Sequence, residues 1–169
     1  FFIIKGSFFF KFFISICYLI SVYEWHMMSK KKQYYIFGLL FLTLSFYSIF
    51  KLRNEFNGEY FYVLFITIIC VSTDIGGYSF GKLFKGPKLT KISPKKTFSG
   101  VIGGYLFSII FIYYFLNNIY VNSLIEFSSH IFIYVLLVST ASQIGDILIS
   151  YFKRLAKIKD TGKIIPGHG

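Results

Sequence analysis

The chain has few acidic residues and few cysteines, and no stretch in it is typical of a linker between domains. Only 7 Asp and Glu stand against 18 Lys and Arg in 169 residues, which gives a formal net charge of +11. Cys17 and Cys70 both lie within apolar runs, where a disulfide framework has no purpose, so we interpret them as small core residues. Because no internal repeat or low-complexity segment divides the chain, we expect a single membrane domain over residues 1–169.

The chain is rich in apolar and aromatic residues. It is 55% hydrophobic and 22% aromatic, with a mean hydropathy of +0.63, which excludes an ordinary soluble domain. A helix of about 20 apolar residues crosses the hydrocarbon core of a bilayer. The sequence therefore predicts an all-α, polytopic transmembrane helical bundle with five spans, at roughly Phe8–Tyr23, Tyr34–Phe50, Tyr60–Tyr78, Val101–Leu116 and Ile131–Phe152.

The basic residues are concentrated in loops between the apolar runs. They cluster at 30–32, 82–96 and 153–163, whereas charges cancel in 51–59 and no Lys or Arg occurs in 117–130. By the positive-inside rule, the three basic segments face the cytoplasm and the N-terminus faces away. This distribution favours anionic lipid headgroups and nucleotide phosphates as partners, and no nucleic acid.

The C-terminal segment 139–169 contains the most informative polar residues. Asp146 lies in its apolar part, and charge at such a depth marks a functional site by default. Helical spacing predicts one polar stripe that continues from this carboxylate towards water. A carboxylate suits a hard divalent cation, and basic groups suit phosphate oxygens. The stripe comprises Asp146, Ser150, Lys153, Arg154 and Lys157, and a tight Pro166-Gly167-His168-Gly169 loop follows it.

A second polar constellation follows the third apolar run. Thr73-Asp74-Ile75-Gly76-Gly77-Tyr78 continues into a lysine-rich loop that ends in Ser93-Pro94-Lys95-Lys96-Thr97. Glycines here would allow another helix or a ligand to approach the backbone closely. Taken alone, the loop has a second interpretation, in which it only binds anionic lipid.

The spacing of these residues resembles a known family. Ser150-x-x-Lys153-Arg154, Lys159-Asp160-x-Gly162 and Pro166-Gly167-His168-Gly169 look like the signature of the phosphatidate cytidylyltransferases, or CDP-diacylglycerol synthases. An Asp before an FG-K pattern and a Ser-Pro-x-Lys-Thr motif, both matched here, also recur in that family. The chain departs from the pattern at Ser99, where relatives often carry Glu or Gln.

The resemblance implies that CTP and phosphatidate react to give CDP-diacylglycerol and pyrophosphate, with Mg²⁺ or another divalent cation as cofactor. No protein nucleophile is needed, which fits a chain without a Ser-His-Asp or Cys-His arrangement. The catalytic candidates are Asp146, Lys153, Arg154, Asp160 and His168. The substrate-binding candidates are Ser93, Lys95, Lys96, Thr97, Ser150, Lys159 and Gly167. The metal candidates are Asp146 and Asp74, and the catalytic part is expected to cover residues 72–169.

The family signature continues beyond the point where this sequence stops, into a further Gly and an Asp-Arg-x-Asp run. We therefore expect a fragment that inserts into a bacterial inner membrane, with its site facing the cytoplasm, but makes no CDP-diacylglycerol alone. A homodimer, or a separate chain that supplies the missing segment, would complete the site. Two other classes remain open: a CTP-dependent lipid kinase of the dolichol type, and a transporter in which Asp74 and Asp146 are ion ligands.

Overall fold

The computed structural model describes residues 3, 7–55, 60–119 and 130–158. These residues form five helices and no strand, apart from one isolated antiparallel bridge between Lys88 and Thr97. The helices are α1 (Ser7–Ser29), α2 (Tyr35–Glu55), α3 (Phe61–Phe84), α4 (Phe98–Ile119) and α5 (His130–Leu155). The predicted all-α class and the five spans are confirmed.

Each of the five described helices is long and apolar enough to cross a membrane, by length and composition. The observed helices are longer than the apolar runs that predicted them. For example, α1 continues from the apolar run through Glu24 and His26 to Ser29. This extension has a simple reason: backbone hydrogen bonding continues through polar residues that end a hydropathy window.

The chain divides into two compact units. The first comprises residues 1–64 and 152–169, and contains α1 and α2. The indole Nε1 of Trp25 donates a hydrogen bond to the carbonyl oxygen of Tyr35 at 2.9 Å. Its ring fills the space beside Gly38, where a Cβ would lie 1.8 Å from a Trp25 ring atom. A glycine at position 38 therefore lets the aromatic ring pack directly on the α2 backbone.

The second unit comprises residues 65–151 and holds most of α3, all of α4 and most of α5. Glycines set the contact between α3 and α4. A Cβ on Gly76 would lie 2.3 Å from the carbonyl oxygen of Gly103, and one on Gly100 would lie 2.7 Å from the carbonyl oxygen of Gly77. The two backbones are in direct contact, which is how small residues pack transmembrane helices.

Hydroxyl groups attach α5 to this pair of helices. The Thr73 hydroxyl of α3 donates to the Ser139 hydroxyl at 2.9 Å, and both residues are buried. The hydroxyls of Tyr105 and Thr140 are also 2.9 Å apart, which ties α4 to α5. These bonds satisfy polar groups within an apolar unit, where an unpaired hydroxyl would be costly.

Candidate active site

A cavity of about 250 Å³ lies within the second unit. Residues of α3, of the loop between α3 and α4, of the first turn of α4 and of α5 all contribute to it. Pockets that enclose drug-sized ligands are about 300–1,000 Å³, so this cavity is suited to part of a substrate, such as a phosphate group. Its lining comprises Thr73, Asp74, Gly77, Tyr78, Lys95, Lys96, Thr97, Gly100, Val101, Gln143 and Asp146.

The α3 wall follows from helical spacing. Asp74, Gly77 and Tyr78 are three and four residues apart, so they share one face of α3. Where α4 crosses this face, a Cβ on Gly77 would make only an ordinary van der Waals contact, 3.5 Å from the Gly100 carbonyl oxygen. Gly100 is the residue that needs to lack a side chain there, since its Cβ would lie 2.7 Å from the Gly77 carbonyl oxygen.

The loop that carries the two lysines has an ordered backbone. It leaves α3 through Lys85 and Gly86, whose φ angles are 50° and 71°. The Leu89 N–H then donates to the Lys96 carbonyl oxygen at 2.8 Å. The Lys96 N–H donates in turn to the Ser93 carbonyl oxygen at 3.0 Å. Because the backbone N–H and carbonyl oxygen of Lys96 are both hydrogen-bonded, the backbone position from which its side chain extends is fixed.

Thr97 joins the loop to α4. Its Oγ1 accepts a hydrogen bond from the Gly100 N–H at 3.2 Å, which is the contact of a helix N-cap. The Ser99 hydroxyl lies 3.0 Å from the Thr97 hydroxyl and donates to the Lys85 carbonyl oxygen at 3.2 Å. Ser99, the position where the chain departs from the family pattern, therefore holds the loop against the start of α4.

The cavity is lined by two carboxylates and two ammonium groups. Lys96 Nζ donates to Asp146 Oδ2 at 2.6 Å, with the side chains 28% and 53% exposed. Lys95 has no hydrogen-bond or ion-pair partner among the described residues. The structure thus brings Asp74, Lys95, Lys96, Thr97 and Asp146 of the predicted site residues to one place.

Sequence reasoning missed Gln143, which lies one helical turn before Asp146 on α5 and also lines the cavity. Its Nε2 atom is buried and has no hydrogen-bond partner within the described part of the chain. The available signal was an amide within an apolar span, at helical spacing from Asp146. Thr73, Gly77 and Tyr78, which belong to the second polar constellation but were given no role of their own, also line the cavity, as do Gly100 and Val101, which were not singled out as site candidates.

Two predicted substrate-binding residues do not line the cavity, although both are described. Ser93 shapes the loop through its carbonyl oxygen, and its own N–H is bonded to Thr90 Oγ1 at 3.1 Å. The Ser150 hydroxyl donates to the carbonyl oxygen of Asp146 at 2.7 Å, within its own helix.

The remaining predicted site residues lie at the end of α5 or beyond it. Lys153 and Arg154 form its last turn, which belongs to the first unit. The helix ends at Leu155 and Lys157 has a φ of 59°, so the predicted helical stripe stops before Lys157. Lys159, Asp160, Gly167 and His168 lie outside the described residues.

The carboxylates that line the cavity fit a magnesium ion whose remaining ligands are substrate phosphates and water. The described residues contain no group of three or more His, Cys, Asp or Glu side chains that could hold a metal on their own. Magnesium is commonly held by one or two carboxylates together with substrate phosphates and water. Asp74 and Asp146 supply two carboxylates to one cavity, beside lysines suited to the same phosphates.

The second unit thus consists of helices of membrane-spanning type with two carboxylates and two lysines around one cavity. The model of the cytidylyltransferase family matches residues 33–169, most of the chain. The chain belongs to this family, which confirms the resemblance drawn from its motifs.

Curated relatives agree with this assignment. The chain is 35% identical over 152 residues to a phosphatidate cytidylyltransferase of Rickettsia bellii, covering 86% of this chain and 65% of that protein. It is 36% identical over 158 residues to the protein of that name in Rickettsia typhi, covering 86% and 66%. For Brucella suis the identity is 32% over 161 residues, covering 94% and 56%. The chain thus spans about two thirds of its Rickettsia relatives.

Proposed function

We propose that the intact gene product is an integral membrane phosphatidate cytidylyltransferase, which makes CDP-diacylglycerol and pyrophosphate from CTP and phosphatidate in phospholipid biosynthesis. The observation that carries the proposal is the cavity that joins Asp74 of α3 and Asp146 of α5, both on membrane-type helices, to Lys95 and Lys96 of the loop between α3 and α4. The names of the relatives point to the same reaction.

The reaction brings together two polyanions. An oxygen of the phosphatidate phosphate forms a bond to the α-phosphorus of CTP, and the bond from that phosphorus to the bridging oxygen of the β-phosphate breaks. The electron pair of the broken bond leaves with pyrophosphate. Lys95 and Lys96 are suited to hold phosphate oxygens through charge-assisted hydrogen bonds, which offset the repulsion between the substrates.

Asp74 and Asp146 are the residues that would hold Mg²⁺. When bound, the ion would neutralise the charge that develops on the transferring and leaving phosphates. The Thr97 hydroxyl and the Gln143 amide add uncharged hydrogen-bonding groups to the same walls. Lys153, Arg154, Lys159, Asp160, Gly167 and His168 remain candidates through the family signature.

The distribution of basic loops supports a site that faces the cytoplasm of a bacterial cell, where CTP is available. Membership of the cytidylyltransferase family favours nucleotidyl transfer over both alternatives, the CTP-dependent lipid kinase and the ion transporter.

CTP labelled at the α-phosphorus or at the γ-phosphorus tests the reaction in membranes that contain the intact gene product and phosphatidate. We expect the α-label to enter the lipid fraction and the γ-label to leave as pyrophosphate. Membranes with an empty vector are the control. Transfer of the γ-label to lipid would instead identify a kinase, and no transfer of either label would overturn the proposal.

A further inference from the structure

The ion pair between Lys96 and Asp146 occupies a carboxylate oxygen that a bound metal would use. The ammonium nitrogen lies 2.6 Å from Asp146 Oδ2, inside the cavity. The charged side chains that line the cavity are two lysines and two aspartates, so without ligands their charges sum to zero. A divalent cation that enters alone would have to compete with an ammonium group already in place.

The competing ammonium group is tethered but can move. The backbone of Lys96 is bonded at both its N–H and its carbonyl oxygen, so the point from which its side chain starts is fixed beside the cavity. The four-carbon stem of lysine nevertheless allows its ammonium group to change partners by rotamer changes. Phosphate oxygens that enter the cavity would offer it a new anionic partner.

We propose that Lys96 is a specificity-determining residue that makes the site select the metal–nucleotide complex over the free metal ion. Lys96 pairs with Asp146 in the absence of ligand and opposes the binding of a free divalent cation. When the cation arrives with nucleotide, Lys96 transfers to a phosphate oxygen and favours the complex. The inference rests on the proposed function, because it takes the nucleotide triphosphate as the ligand of this cavity.

Substitution of Lys96 should therefore change the affinities for metal and for nucleotide in opposite directions. The test uses the intact gene product in detergent, with Mn²⁺ as the probe and the electron paramagnetic resonance signal of free Mn²⁺ as the readout. Without nucleotide, Lys96→Met should bind Mn²⁺ roughly three- to fivefold more tightly, the upper part of the range expected for loss of a partly exposed competing ion pair. CTP binding in the presence of Mn²⁺ should weaken by about tenfold, because a charge-assisted hydrogen bond is lost.

Lys95 provides the matched control. It lines the same cavity and carries the same charge, but it has no partner among the described residues. Lys95→Met should weaken CTP binding yet change Mn²⁺ affinity by no more than about twofold, because only a screened, longer-range charge is removed. Lys96→Arg keeps the cation, so its Mn²⁺ affinity should stay within about twofold of wild type.

Each outcome separates the inference from the proposed function. Unchanged or weaker Mn²⁺ binding by Lys96→Met overturns the inference, as does equal tightening in Lys95→Met. If the wild-type protein forms α-labelled lipid normally while Lys96→Met leaves Mn²⁺ affinity unshifted, only the inference fails. If the opposite shifts are seen but wild-type protein labels no lipid, the proposed reaction fails and the selection of metal with nucleotide stands.

Discussion

Thr97 caps α4, so its substitution tests how much this cap contributes to stability. Thr97→Ala removes the oxygen that accepts the Gly100 N–H and should lower the free energy of unfolding by about 1 kcal/mol. Thr97→Ser keeps that oxygen and should stay within a few tenths of a kcal/mol of wild type. Thermal unfolding in detergent measures both. Equal stability of Thr97→Ala and wild type would contradict the capping role.

Sequence reasoning identified all four charged side chains that line the cavity, but not their mutual arrangement. Asp146 and Asp74 stood out because carboxylates are rare within apolar runs, and both line the cavity. The Lys96–Asp146 pair joins residues 50 positions apart, so only the packing of α5 against the loop reveals it. The role of Ser99 was equally hidden, since its contact with Lys85 depends on the shape of the loop.

The glycine contact between α3 and α4 gives a prediction at the scale of helices. Gly103→Ala would place a Cβ 2.3 Å from the Phe80 Cβ and 2.7 Å from the Gly76 carbonyl oxygen, so the helices must separate. We expect a loss of roughly 1–3 kcal/mol in the free energy of unfolding, as in other overpacked cores. The measurement is the thermal or denaturant unfolding of the protein in detergent.

Gly145→Ala is the matched control, because a Cβ there meets nothing within 4 Å. Alanine is favoured over glycine inside a helix by about 1 kcal/mol, so this variant should be as stable as wild type or more stable. If Gly103→Ala and Gly145→Ala were equally stable, close packing would not hold α3 and α4 together.

The helices themselves were the most predictable part of the fold. Apolar runs located all five, because a membrane demands long uninterrupted stretches. Their ends were less predictable: the predicted third span ends at Tyr78, whereas α3 continues to Phe84, since its contact with α4 continues at Phe80 and Gly81. Hydropathy contains no information about such a contact.

For the whole molecule, the distribution of charge predicts the orientation in the membrane. Single cysteines are introduced at Lys31, Lys88, Tyr60 or Asn117 in a background where Cys17 and Cys70 are replaced by Ala. A membrane-impermeant thiol reagent should label positions 31 and 88 only from the cytoplasmic side, and positions 60 and 117 only from the other. Labelling of Lys88→Cys from the outer side alone would place the cavity loop away from cytoplasmic CTP.

The central claim is that the Asp74 and Asp146 carboxylates of one cavity hold the metal for cytidylyl transfer. Its most direct test is the rate of CDP-diacylglycerol formation by Asp146→Asn and Asp74→Asn in the intact gene product, across a magnesium titration. Each variant keeps the side-chain shape but loses a charged ligand, so we predict a loss of at least roughly 100-fold with normal membrane insertion. Near-normal rates from both variants over the whole titration would contradict the account.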